Sequence, residues 1–442
     1  MRTSRIRLMA GGIVLVLGAA ACGGSSSGGG GGGSSNSGGA SAPGVTSTTV
    51  TIGSTQPLTG PAAPGYSEIA PAANAYFQYI NAAGGINGRK IIYKYVDDAY
   101  DPSKTVTQTK KLILQDKVFG IFNALGTPTH EQVIDFLNQS KVPDLFVASG
   151  CQCWDDPSGH PYTFGWQTDY VVEGKILGDY IKKHFPGKKI AYFYQDDDFG
   201  KDGVKGLDME IPAGQVVTKQ SYQVTNPNIA AQVQKIAASK ADVVVSFTIP
   251  AFTALLKLNS LKVGFNPQLV VSNVGSDPLT LSGLLETYAK QGGATVKGNE
   301  LIQGIITDAY LSTPGDPSNS WIQLFKKIHD QYDAKAPFDG NVLYGMAVAY
   351  TFAQALQAAG QNPTRDGIVA AVEKGIAQGP GTVPFRFSSS SHAGFEGAQI
   401  GTIKGTVIQL SGKPMTTDDG SGAVQEFTGT QPTAPSNGIP TG

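Results

Sequence analysis

The strongest constraint on this chain is an alternation of hydrophobic periods that runs through once and then begins again. VTIGS (50–54) is a short β-branched run, and Ala70 to Ala83 after it carries helical spacing. KIIYKYVDD (90–98) precedes a helical Thr105 to Gln115, FGIFNAL (119–125) precedes His130 to Asn138, and DLFVA (144–148) and FGW (164–166) follow. Strand alternating with helix predicts a mostly parallel sheet with helices on both faces. The pattern restarts at Tyr170 to His184 and continues through KKIAYFYQD (188–196), QVVTKQSYQV (215–224), DVVVSFTI (242–249) and QLVVSN (268–273), with helical stretches between them. IQGIITDAY (302–310) and three further helical stretches come next, and VPFRFSSSS and GTIKGTVIQL read as a pair of short strands around a Gly-rich turn. The expectation is an α/β chain of two units with no long linker between them.

Length agrees with two units, because roughly 390 residues from Thr48 onward exceed what one hydrophobic core usually holds. Before them, MRTSRIRLMAGGIVLVLGAAAC places three arginines ahead of an apolar run that ends in small residues. That is a secretory signal, residues 1–21, too short to span a bilayer. Its ending, LGAAAC, resembles the lipobox of bacterial lipoproteins, which implies lipid on Cys22. The Gly/Ser-rich residues 22–47 cannot bury apolar surface and read as a flexible tether. Without the leader, about 30 basic residues face 34 acidic ones, so nothing basic remains to attract nucleic acid.

Four segments then resemble one family in order and with family-like spacing. They are PLTGPAAPGYSEIAPAANAYFQYINAAGGINGRKIIYKYVDDAYDPSKTV (57–106), VFGIFNALGTPTHEQVIDFLN (118–138), VPDLFVASG (142–150) and YQDDDFGKDG (194–203). They look like the branched-chain amino acid type of solute-binding protein, the receptor component of ABC importers. The resemblance covers roughly Thr48 to Leu410. It implies an α/β fold of two Rossmann-like lobes with mostly parallel sheets, three crossover segments and a central ligand cleft. Lobe one is then 48–166 plus 308–383, lobe two 167–307 plus 384–415, and 416–442 a flexible tail. Partners implied are a small solute and an ABC permease in the membrane. The chain is expected to be a monomer without cofactor, metal or catalysis, held outside the cytoplasmic membrane by its lipid.

Ligands in open α/β sheets collect beyond the carboxyl ends of the strands, so each candidate is weighed at such an end. LGTPTHEQ (125–132) offers Gly126, Thr127 and Thr129 where an apolar strand enters a helix, and the matching family loop binds the ligand carboxylate. A threonine before a helix is also an ordinary cap. ASGCQCW (148–154) lies on the same rim. The resemblance implies that Ala148, Ser149 and Gly150 present backbone groups and a hydroxyl, although glycine stands where the family has its hydroxyl. Trp154 can wall the pocket or pack in the core. On the second lobe, the resemblance implies that Phe199 closes over the ligand, with Thr248, Phe252 and Asn273 at further strand ends. The amino-acid-binding members carry a carboxylate near this last loop; here there is no glutamate, and Asp277 sits a few residues late. In the first loop Tyr66 stands in for a missing aromatic, and Gln56, Gln167 and Tyr170 are weaker rim candidates.

Cys151 and Cys153 leave four readings, one of them two free or separately oriented thiols. Zinc usually requires four donors and CQC brings two. A nucleophilic thiol requires a positioned base, and no motif pairs one with it. A disulfide stiffening the loop fits an oxidising compartment. Two other functions are open at this point: a ligand-sensing module for a membrane receptor, which would share the fold, and a secreted hydrolase, which would be expected to show a nucleophile elbow absent here.

Overall fold

The computed structural model describes residues 42–440; the leader, Cys22 and most of the expected tether lie outside them. The first five strands, β1 (Thr49–Gln56), β2 (Lys90–Asp97), β3 (Ile121–Phe122), β4 (Asp144–Val147) and β5 (Thr163–Gly165), form a wholly parallel sheet in the order β2-β1-β3-β4-β5. Its register runs from Thr49 opposite Lys90 to Gln56 opposite Asp97. The order reverses between β1 and β3, which opens a crevice at their carboxyl ends.

A second sheet repeats the scheme. β6 (Ile190–Gln195), β7 (Val216–Tyr222), β8 (Val243–Phe247), β9 (Gln268–Val271) and β10 (Ile306–Ala309) are parallel in the order β7-β6-β8-β9-β10. The sheet then continues antiparallel through β11 (Gly397–Lys404), which pairs with β10, β12 (Val407–Leu410) and β13 (Met415–Thr416), and β13 pairs with β14 (Gln425–Glu426). The hairpin read from GTIKGTVIQL forms within that segment, turning at Gly405 with φ 63°. VPFRF is not its partner, since Phe385 instead bridges Phe395.

Helix packing in the second lobe depends on absent side chains. The helix Asp198–Glu210 carries Gly200, Gly203 and Gly206, a composition that weakens a helix in isolation. A Cβ on Gly206 would lie 2.1 Å from the Val171 carbonyl oxygen of the helix Tyr170–His184. Only glycine lets the two axes approach this closely.

The chain passes to the second sheet after β5, leaves it after β10 and returns to it at β11. Two expected boundaries differ from the structure. Asp308 and Ala309 belong to β10 of the second sheet. Residues 384–395, expected in lobe two, pack on lobe one, where Phe387 lies 5.7 Å from Phe146, and Phe385 and Phe395 surround Trp166. Aromatic burial there outweighs the extended look of the segment.

Residues 416–440 are not a loose tail. The buried Lys175 ammonium donates to the carbonyls of Asp418, Gly420 and Gly422 at 2.7–2.8 Å and to the Asp418 carboxylate at 3.0 Å. Further on, the chain returns to lobe one: Trp321 Nε1 donates to Pro432 O at 2.7 Å, and the hydroxyls of Tyr79 and Tyr76 donate to Asn437 O and Gly438 O. Backbone carbonyls with satisfied partners hold this segment despite its polar composition.

Candidate functional site

The carboxyl ends of both sheets face one cleft of about 390 Å³. Tyr100 enters it after β2, Leu125 to Thr127 after β3 and Ala148 after β4; Phe199 enters after β6, Ile249 after β8, Asn273 after β9 and Tyr310 after β10. Hydrogen bonds cross it. Tyr66 donates its hydroxyl to Val274 O at 2.5 Å, Asn341 Nδ2 reaches Thr280 Oγ1 at 3.2 Å, and Gly340 N–H donates to Asp277 at 3.0 Å. These bonds describe a closed arrangement of the lobes.

Of the residues singled out from sequence, Tyr66, Gly126, Thr127, Ala148, Phe199 and Asn273 line the cleft, as do the weaker candidates Gln167 and Tyr170. Gly126 has φ 112°, and a Cβ there would meet Thr129 Oγ1 at 2.4 Å and Tyr100 Cε2 at 2.6 Å. Phe199 is buried, its ring 4.7 Å from Tyr170 and 6.0 Å from Phe247.

Thr129, Ser149, Gly150, Trp154 and Thr248 do not line the cleft. Thr129 gives its hydroxyl to Leu125 O at 2.8 Å, completing the local turn. Ser149 stands behind Thr127, their hydroxyl oxygens 2.7 Å apart, and accepts from Cys151 N–H at 3.2 Å. At Gly150 a Cβ would lie 2.2 Å from Thr168 O, so the crossing chain leaves no room for the hydroxyl that the family pattern has there. Thr248 pairs with Thr253 at 2.7 Å. Trp154 is buried with Ile134, Val147 and Cys151, edge-on to His130 at 5.3 Å, and His130 in turn bonds Asp144 at 2.7 Å. This is core packing, and it takes the indole away from the pocket. Gln56 is likewise internal, donating to Ser54 and Asn123 O.

Cys151 and Cys153 form a disulfide with their Cα atoms 5.1 Å apart. Glu131 is the one further acid close enough to join them around an ion among the described residues, and disulfide sulfurs are poor metal ligands. The ring instead carries Gln152 into lobe two. Its N–H donates to Asp202 at 2.9 Å, its Oε1 accepts from Lys205 at 2.7 Å, and its Nε2 donates to Asp419. Replacing Gln152 with alanine removes two of the three bonds. It is expected to weaken solute binding by about thirtyfold, at roughly 1 kcal/mol net per bond, with little change in melting temperature. Calorimetric titration beside a thermal scan measures both.

Sequence reasoning missed Tyr100, Asp308, Tyr310, Asp339, Tyr344 and Ile408, all of which line the cleft. Several come from crossings and helix starts, where no strand-end signature marks them. Asp339 caps the helix Gly340–Ala358 through Val342 N–H, and burial together with the nearby Asp277 charge pushes its carboxyl up to about 8. Asp308 accepts from Asn273 Nδ2 at 3.2 Å. Behind it Glu173 is fully buried, and burial, then the Asp308 charge, holds its carboxyl well above the usual range.

A two-lobed α/β chain closed over a cleft by bonds between its lobes is the architecture of a solute receptor. The pattern described as periplasmic binding protein matches residues 49–406, and the chain belongs to that family. It is 26% identical over 336 residues to the Leu/Ile/Val-binding protein homolog 1 of Brucella suis, covering 74% of this chain and 83% of that one. Among solved structures, a branched chain amino acid ABC transporter protein from Thermus thermophilus with bound valine superposes with a TM-score of 0.71 at 19% identity, covering 84% of this chain and 97% of that one. A fatty acid ABC transporter substrate-binding protein from Thermomonospora curvata gives a TM-score of 0.71 at 21% identity, covering 86% and 95%. This chain is a solute-binding protein.

Proposed function

We propose that this chain is the extracytoplasmic receptor of an ABC importer, catching a small polar or amphipathic solute between its lobes and presenting it to a membrane permease. The observation that carries this is the cleft at the carboxyl ends of both sheets, bridged by cross-lobe hydrogen bonds. Binding favours closure because only the closed form touches the solute from both sides. Lipid on Cys22 would tether the receptor to the outer face of the membrane, and among the described residues no helix is long and apolar enough to cross it. Capture and release need no covalent step, so no catalytic residue is assigned. The disulfide acts in this reading as a stiffener that holds Gln152 toward lobe two.

The relatives named above divide between short amino acids and acyl chains, so the cleft itself has to indicate the solute. Native mass spectrometry of the protein purified without unfolding tests the reading. A stoichiometric small molecule, recovered unchanged after release, is the expected result. A preparation that binds nothing across a broad solute panel, or that converts the molecule, would overturn it.

A further inference from the structure

The size and lining of the cleft deepen that reading and rest on it. A cavity of roughly 150 Å³ holds a benzene ring, and this one is about 390 Å³. Besides Gly126 and Ala148, its lining includes the apolar Pro314, Phe338, Val407 and Ile408. A single aliphatic amino acid would leave much of this space unfilled.

Charge and aromaticity indicate the polar end of the solute. Three aspartates, Asp277, Asp308 and Asp339, line the cleft, burial raising the carboxyl of each, and among the described residues Lys326 is its only basic lining residue. That ammonium is already engaged by the Asp330 carboxylate at 2.5 and 2.7 Å and lies 5.9 Å from the Phe338 ring centre. Away from the Gly126–Thr127 loop, a carboxylate in the cleft would therefore meet acids with no free base to receive it. Five tyrosines, at 66, 100, 170, 310 and 344, also line the space. The Tyr66 hydroxyl is spent on Val274 O, and Tyr344 accepts from Asn123 Nδ2 at 2.9 Å, leaving their rings to the solute. Aromatic faces beside carboxylates attract an ammonium.

We infer that the cleft selects an elongated, largely apolar amine over the corresponding carboxylate and over a single aliphatic amino acid. Asp277 and Asp339 come from opposite lobes and lie close together, Asp277 accepting from Gly340 N–H and Asp339 from Val342 N–H, so an ammonium between them would draw the lobes together.

Titration calorimetry on the full chain, stripped of copurified solute, would compare 4-phenylbutylamine, 4-phenylbutanoate and L-leucine. The first two differ only in their charged head. The amine is expected to bind about tenfold or more tightly than either of the others. Asp339→Asn, which keeps a cap acceptor, should cut that preference several-fold, and Asp277→Asn serves as the second variant if the first misfolds. Equal or tighter binding of the carboxylate or of leucine overturns the inference, and so does an amine preference untouched by both variants. If none of the three binds, the amine class is wrong, while the receptor reading is decided separately by the solute found on the native protein.

Discussion

Replacing Phe199 with alanine is expected to weaken solute binding by about a hundredfold, the largest effect of any single truncation in the cleft. The ring is 2% exposed and closes the second-lobe wall against Tyr170 and Phe247. Removing a buried phenyl costs about 3 kcal/mol or more through lost transfer energy and the cavity left behind. Part of that cost falls on stability, because Phe247 loses a neighbour whether or not solute is present. The part read as affinity arises because the closed form is the one in which the ring meets the ligand. Titration with the solute recovered from the native protein, beside a calorimetric melt, separates the two. Phe199→Leu should regain most of the stability but less of the affinity. A fall in melting temperature with unchanged affinity would reduce Phe199 to a core residue.

The second large effect is a dependence of affinity on pH. Closure sets Glu131 of lobe one against Asp197, Asp198 and Asp202 on the helix Asp198–Glu210 and its cap, with Lys205 on the same helix turned to Gln152. Burial first, then those three charges, raises the Glu131 carboxyl to about 7. In an open form, away from lobe two, it would sit near the ordinary glutamate value of about 4.3. The closed form therefore holds the extra proton between these two values. As pH rises through that window the open form ionises first and closure loses ground; above about 7 both forms are ionised and the trend levels off. The Glu131 contribution should make solute affinity about tenfold higher at pH 5 than at pH 8, a figure already reduced for the partial exposure of the group, and it is read on an Asp339→Asn background because the titration of Asp339 acts on an amine in the opposite sense. Glu131→Gln should flatten the profile and raise affinity at pH 8. A profile that is flat on that background, or unchanged by Glu131→Gln, contradicts the assignment.

Legibility followed the range of the interactions. DVVVSFTI was readable because a buried strand writes its burial into consecutive residues, and KIIYKYVDD, an edge strand largely open to solvent, through its β-branched and aromatic residues. FGIFNAL was readable as a segment, yet only Ile121 and Phe122 form strand, since Asn123 turns to φ 52° and spends its amide on Phe146 O and Tyr344. The cleft was half legible. Gly126, Thr127, Ala148 and Phe199 follow strands directly, so local order predicted them. Trp154 also follows β4, at a greater distance, and the short helical turn Gln152–Trp154 carries it inward instead. Ile408 lies hundreds of residues from Leu125, and nothing local to either marks the other.

By itself, the sequence determined the two α/β units and the rim on which a solute would be met. Hydrophobic periodicity, turn residues and strand-end position are short-range properties, and a linear reading holds them. Tertiary structure alone decided which rim residues face the cleft, where the lobes exchange strands and how the C-terminal residues are held. Those outcomes depend on distant groups competing for the same space. At Gly150 the carbonyl of Thr168 leaves no room for a side chain, and at Lys175 a buried ammonium gathers carbonyls from a loop more than two hundred residues away. The CQC turn shows both sides: its cysteines were visible in the sequence, while the contact of Gln152 with the opposite lobe exists only once the lobes have closed.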